Sequence, residues 1–228
     1  MEQHRMVRAV NAIAEQPAGS LADRLCAAAE RRLEAAGVGL AVAGGDLLEP
    51  VAATAGAEGG EALQTDLGEG PSYTASREGR PVLVPDVDLD VTWPAFGPAA
   101  SALGLRGVFA FPLRQGALHL GALTVYRDVV GHLSDDQHAD SLVYARLALD
   151  VLGEPLFDTL PEDAAGIFPG EAIDTVEIHQ AAGVVSVQLG VSVAAALTVL
   201  RARAYTEGRS LRDLADDVVA RRIRLDDV

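Results

Sequence analysis

The residues best suited to chemistry in this chain are arginines and a few scattered aromatics. All 18 basic residues are arginine. Arg201, Arg203 and Arg209 stand close together late in the sequence. A guanidinium offers a planar fork that matches phosphate and a flat face that stacks on rings. Tyr205 is the one aromatic of residues 171–228. Nearer the middle, Tyr73, Trp93, Phe96, Phe109 and Phe111 could line an apolar ligand pocket, with Arg77, Asp86 and Asp88 as polar groups beside them. Phe109 and Phe111 alternate with Ala110, so they share one strand face, which suits core packing as well as a pocket.

Catalytic patterns are missing. No Gly-x-Ser-x-Gly, no phosphate-binding loop with lysine and no His-Glu-x-x-His is present. The histidines at 4, 119, 132, 138 and 179 make no ligand spacing, so no metal is expected. Cys26 is the single cysteine, which excludes an internal disulfide. The sequence therefore reads as a protein that is not an enzyme and holds no cofactor.

Charge narrows the partners. The net charge is −15, which opposes non-specific attraction to nucleic acid or acidic membranes. It is uneven, with 24 acids against 11 arginines before residue 171 and 9 against 7 after it. The later segment is the part that tolerates a phosphate backbone. The first residues lack the apolar run of a signal peptide and no membrane-length apolar stretch exists, so the expected location is cytoplasmic.

Periodicity predicts the elements that must carry these residues. A short helix over 3–16 ends at Pro17-Ala18-Gly19. Ser20 caps an amphipathic helix that runs to Gly37, with Asp23 at its third position. Val38–Asp46 and Leu48–Thr54 read as paired strands, with Gly44-Gly45 as the turn. Residues 55–62 read as a loop or a helix start, with Gly59-Gly60 as a turn. A helix is expected over 72–78, then a short strand over 82–84. A hairpin over 107–126 and a helix from Ser134 to about Gly153 follow. Helices flanking a mostly antiparallel sheet make this an α+β domain. The apolar stripes on 20–36 and 134–152 suggest pairing between copies. Six glycines and prolines over 153–170 mark a linker. Beyond it only helical periodicity appears, in three helices capped by Ser192, Ser210 and Gly190 or Gly208.

Two resemblances follow from particular residues. Leu67-Gly68-Glu69-Gly70-Pro71, Gly79-Arg80-Pro81-Val82 to Asp86, Pro112-Leu113, Gly121–Tyr126 and Leu133–Gln137 come in the order found in GAF domains. Residues 20–152 thus resemble that family, behind a helical extension over 1–19. Ile178-His-Gln180-Ala181-Ala-Gly183, Ser192 with Ala196, Leu200-Arg201 with Ala204, and Arg209 through Val219 resemble the ANTAR family. That likeness covers about residues 171–220 and implies an all-α three-helix domain over 171–228. Many members carry lysine where this chain has Ala182, which weakens one expected phosphate contact.

The combined resemblance implies a regulator of transcription antitermination that binds stem-loops in nascent RNA as a homodimer. Its GAF domain would sense a small molecule of unknown identity or mediate dimerisation. On this reading Gln180 hydrogen-bonds base edges, Gly183 admits a close backbone, and Arg201, Arg203 and Arg209 meet phosphates or bases. Tyr205 is expected at the edge of the helical core. The competing expectation is that the arginines pair with Asp213, Asp216 and Asp217 and that the helical tail binds a partner protein instead of RNA.

Overall fold

The computed structural model describes residues 2–116, 118–157 and 176–225. The structure divides into two compact units.

The first unit is organised by a five-stranded antiparallel sheet. Its strands are β1 (Gly37–Gly44), β2 (Leu47–Ala53), β3 (Val82–Val84), β4 (Gly107–Gln115) and β5 (Leu118–Arg127), in the order β2-β1-β5-β4-β3. Gly45, with φ +63°, makes the β1–β2 turn that the sequence suggested. Register fixes which side chains share a face. Val38 pairs with Val125, Leu40 with Leu123, and Phe109 and Phe111 with Val125 and Leu123. These form one apolar face. The opposite face carries small residues: Gly39 beside Thr124, Ala41 beside Ala122, and Ala110 beside Thr124.

Three helices stack on the apolar face, two of them against the strands and the first against those two. They are α1 (Glu2–Ala14), α2 (Leu21–Leu33) and α6 (Asp135–Phe157). Ser20 and Asp23 form the reciprocal cap on α2. Ser134 and Gln137 exchange equivalent bonds at the start of α6. Gln137 also donates to the Leu33 carbonyl at 2.8 Å, closing the end of α2. Leu25, Leu33, Tyr144 and Ala148 are buried against the sheet. The two apolar stripes read as surfaces for pairing copies are thus used inside the chain's own core. α6 also runs on to Phe157, past the stop expected at Gly153, with Val151 and Leu152 still packed on the core.

The small-residue face is covered by α3 (Glu58–Leu67) and α4 (Pro71–Glu78), with α5 (Phe96–Ala102) nearby in sequence to β4. α3 takes the second of the two readings of residues 55–62, a helix start, and corrects the expectation of a turn at Gly59-Gly60. The glycines lower helix propensity, yet Gly60 is needed for contact. A Cβ there would stand 2.4 Å from Tyr126 Cε1.

The second unit is built from α7 (Val176–Leu189), α8 (Val193–Glu207) and α9 (Leu211–Val219). Ser192 accepts from the Ala195 amide and Ser210 from the Asp213 amide, as the sequence predicts. Gly208, with φ +62°, ends α8. Ile178, Ala181, Ala182 and Val185 on α7 are buried, as are Leu197, Leu200, Leu211, Leu214 and Val218. Their spacing of three and four residues is what lets three short helices share one core. Most of the expected linker, residues 158–170, lies outside the described residues. Among the described residues no single helix is long and apolar enough to cross a membrane.

Candidate functional site

The five aromatics proposed for a pocket do not come together. Tyr73 lies on α4, on the small-residue side, buried with Ala41 and Leu48. Its hydroxyl accepts a 3.0 Å bond from the Leu48 amide, so it ties α4 to β2. Arg77 stacks over its ring at 5.8 Å. Trp93 and Phe96 pack edge to face at 6.4 Å between centroids, and Trp93 Nε1 donates to Thr74 Oγ1. Phe109 and Phe111 point to the other side of the sheet, into the α1–α2–α6 core, where Phe111 meets the His138 ring. Strand alternation separates them from Tyr73 by the thickness of the sheet.

A polar cluster that sequence reasoning missed fills the small-residue side. Tyr126 donates its hydroxyl to Glu61 Oε1 at 2.7 Å. Gln64 Nε2 donates to Ser72 Oγ and to Tyr126 Oη, each at 2.7 Å. Ser72 Oγ lies 2.6 Å from Thr124 Oγ1, and the Ser72 amide donates to Gln64 Oε1. All five side chains are buried. Burial pushes the Glu61 carboxyl up to about 7, while bonds from Tyr126 and Thr124 pull it down. Burial, then the Glu61 charge, raises the Tyr126 phenol. Glycines make the room: a Cβ on Gly39 would strike Glu61, and one on Gly70 would strike Gln64. The visible signal was Glu61 and Gln64, a helical step of three, facing a strand of glycine and alanine.

Glu69 gives the Leu67–Pro71 stretch a second task. Its Oε1 accepts from the Ala95 and Phe96 amides at 3.1 and 3.2 Å. That carboxylate fixes the loop bearing Trp93 and caps the start of α5.

In the helical unit, Gln180 is exposed and Gly183 half-buried on α7, with nothing near the position of a Gly183 Cβ. Ala182 is 1% exposed. It faces the helical core, so a lysine there would have to turn its stem out of the packing. Arg201 and Tyr205 are one helical turn apart on α8 and share a face. Tyr205 is 64% exposed, not at the core edge where it was expected. Arg203 pairs with Glu207. Arg209 pairs with Asp217 at 2.5 Å and lies 3.6 Å from Glu207. Arg222 joins Asp217 from the other side, also at 2.5 Å. The Arg209 bond, then Arg222, holds the Asp217 carboxyl below its usual range. Arg209 is thus paired with one of the expected aspartates, and Arg203 with Glu207 instead.

The architecture has two parts, an antiparallel sheet with helices on both faces and a helical trio. The GAF domain family matches residues 15–144 and the ANTAR domain family matches residues 174–219. The chain belongs to the GAF domain family and carries an ANTAR domain. No curated protein matches it. Among solved structures, the GAF domain of a phosphoenolpyruvate-protein phosphotransferase from Acinetobacter has a TM-score of 0.54 at 11% identity, covering 72% of this chain and 98% of that one. The corresponding Coxiella burnetii domain gives 0.52 at 14% identity, over 69% and 95%. A domain of a two-component sensor histidine kinase protein from Sinorhizobium meliloti gives 0.50 at 17%, over 58% and 88%. These likenesses show the shared GAF fold.

Proposed function

We propose that this protein is a signal-responsive regulator that binds stem-loops in nascent RNA and promotes antitermination of transcription. The observation that carries this reading is the ANTAR match across nearly the whole helical unit, joined to a sensor fold in one chain. Supporting it, Tyr205 is an exposed aromatic of the kind that stacks on splayed bases. Gln180 and Gly183 supply an exposed amide and an open backbone on α7. Arg203 and Arg209 would exchange their carboxylate partners for phosphate on binding.

The GAF domain acts as the sensing half. A small molecule entering on the side of Glu61, Gln64, Ser72, Thr124 and Tyr126 would replace a self-satisfied polar network, which couples occupancy to α3 and α4. The working form is a homodimer in the cytoplasm, the first of which light scattering at micromolar concentration tests. The reading as a whole is tested by a gel-shift titration with a two-hairpin RNA. Binding by the native chain and loss in Arg201→Glu, with helical circular dichroism unchanged, supports it. Equal binding by the variant removes Arg201 from the interface.

A second reading keeps the sensor but gives the helical unit a protein partner. The exposed Val184, Val187, Val191 and Val193 and the ion-paired state of Arg203 and Arg209 favour it. It requires that the two-hairpin RNA bind no better than an unstructured one.

A further inference from the structure

Arg5 of α1, Arg32 of α2 and Asp140 of α6 meet where these three helices pack. Asp140 is buried, and its two oxygens are divided between the arginines. Oδ1 accepts from Arg5 Nη1 at 2.7 Å and Oδ2 from Arg32 Nε at 2.6 Å. Arg5 also pairs with the exposed Asp136. A cavity of about 80 Å³ opens beside this cluster, its lining made of Arg5, Arg8, Arg32, Asp140 and Tyr144 together with three apolar side chains.

Two features mark the cavity as a ligand site. The first is Tyr144. It is 1% exposed, and its hydroxyl has no hydrogen-bond partner among the described residues. A buried hydroxyl left unpaired is costly, so such a group generally answers to something. The second is charge. Three guanidiniums line the space, whereas Asp140 and Asp136 supply two negative charges, leaving one positive charge over. At about 30 Å³ per water-sized group, the volume holds two to three such groups, which suits an anion the size of formate.

We propose that the cavity between α1, α2 and α6 binds a small, planar, monovalent oxyanion of carboxylate or nitrate type. The Tyr144 hydroxyl donates to it, Arg8 closes over it from α1, and the guanidinium forks match its plane. Charge-assisted bonds from α1 and α6 to one anion fasten the first helix to the other two. The site lies across the sheet from the Glu61 cluster and uses none of its residues.

The test is calorimetric titration of the full chain with sodium formate, acetate, nitrate and bicarbonate, against chloride and sulfate at matched ionic strength. Thermal unfolding is followed under the same conditions. The expected result is saturable binding of at least one planar oxyanion, one per chain, with a raised Tm that chloride and sulfate do not reproduce. Tyr144→Phe keeps the ring in the core and the ion pairs intact. It should weaken binding at least about tenfold, the loss of one charge-assisted hydrogen bond. Arg8→Gln, at an exposed position, should weaken it similarly. Two outcomes overturn the proposal: no planar oxyanion distinguishable from chloride at tens of millimolar, which means the cavity holds water only, or unaltered affinity in both folded variants.

Discussion

Tyr126 hands its phenolic hydrogen to Glu61 across 2.7 Å in a fully buried network that contains no basic side chain among its named members. A carboxyl so placed favours its protonated form in the folded state. Its folded value of about 7 stands above the ordinary 4.5. Between those values the folded chain holds a proton that the unfolded chain has released, so stability falls as pH rises. The contribution is whole below about pH 4.5 and lost above about pH 7, on the order of 3 kcal/mol. Urea unfolding of the native chain and of Glu61→Gln at pH 5 and pH 8 reads the difference. The variant should lose this part of the slope and match or exceed the native chain at pH 8.

The adjacent glycines of α3 should respond with opposite signs. Gly60→Ala drives a Cβ to 2.4 Å from the buried Tyr126 ring and should cost about 1–3 kcal/mol. Gly59→Ala meets only Leu103 at 3.5 Å, an ordinary contact, and should gain up to about 1 kcal/mol of helix propensity. Thermal unfolding of the two variants side by side checks both.

These pairs show what sequence could and could not convey. The caps at Ser20, Ser134, Ser192 and Ser210 were legible because a hydroxyl and the residue three places on act locally. The strands were legible from short apolar runs between glycines. α3 was legible only as one of two alternatives, since Gly59 and Gly60 signal a turn until the Tyr126 ring is known to lie against them. The same limit hid the polar cluster: Glu61, Ser72 and Tyr126 are far apart in sequence and meet only through register. The expected pocket failed for a related reason. Alternation told that Phe109 and Phe111 share a face, but not that Tyr73 lies behind the other. Tyr205 was misplaced because a helical stripe in a 15-residue helix leaves its edge positions ambiguous by one residue.

Phe111→Ala should behave as a core truncation. It removes a fully buried ring from the α1–α2–α6 side and should cost about 3–5 kcal/mol. Denaturant unfolding of the sensor measures this, and a variant less destabilised than about 1 kcal/mol would show the ring to be more loosely held.

Gly183→Ala separates stability from recognition on α7. Its backbone is helical and a Cβ meets nothing within 4 Å, so unfolding should be delayed by up to about 1 kcal/mol. RNA affinity should nevertheless fall, because the added methyl keeps a backbone at a distance. A gain in stability with unchanged affinity would take Gly183 out of the interface.

The central claim, that the helical unit reads folded RNA, is tested most directly by the salt dependence of binding to a two-hairpin transcript. Fluorescence anisotropy from about 50 to 200 mM salt should give a negative slope of log K against log salt of a few units, about 0.7 to 0.9 per phosphate contacted. Tyr205→Ala should weaken the complex about tenfold or more, the loss of one stacked base, without changing that slope. A flat salt response, or equal affinity for an unstructured RNA of the same length, would contradict the account and leave the helical trio to a protein partner.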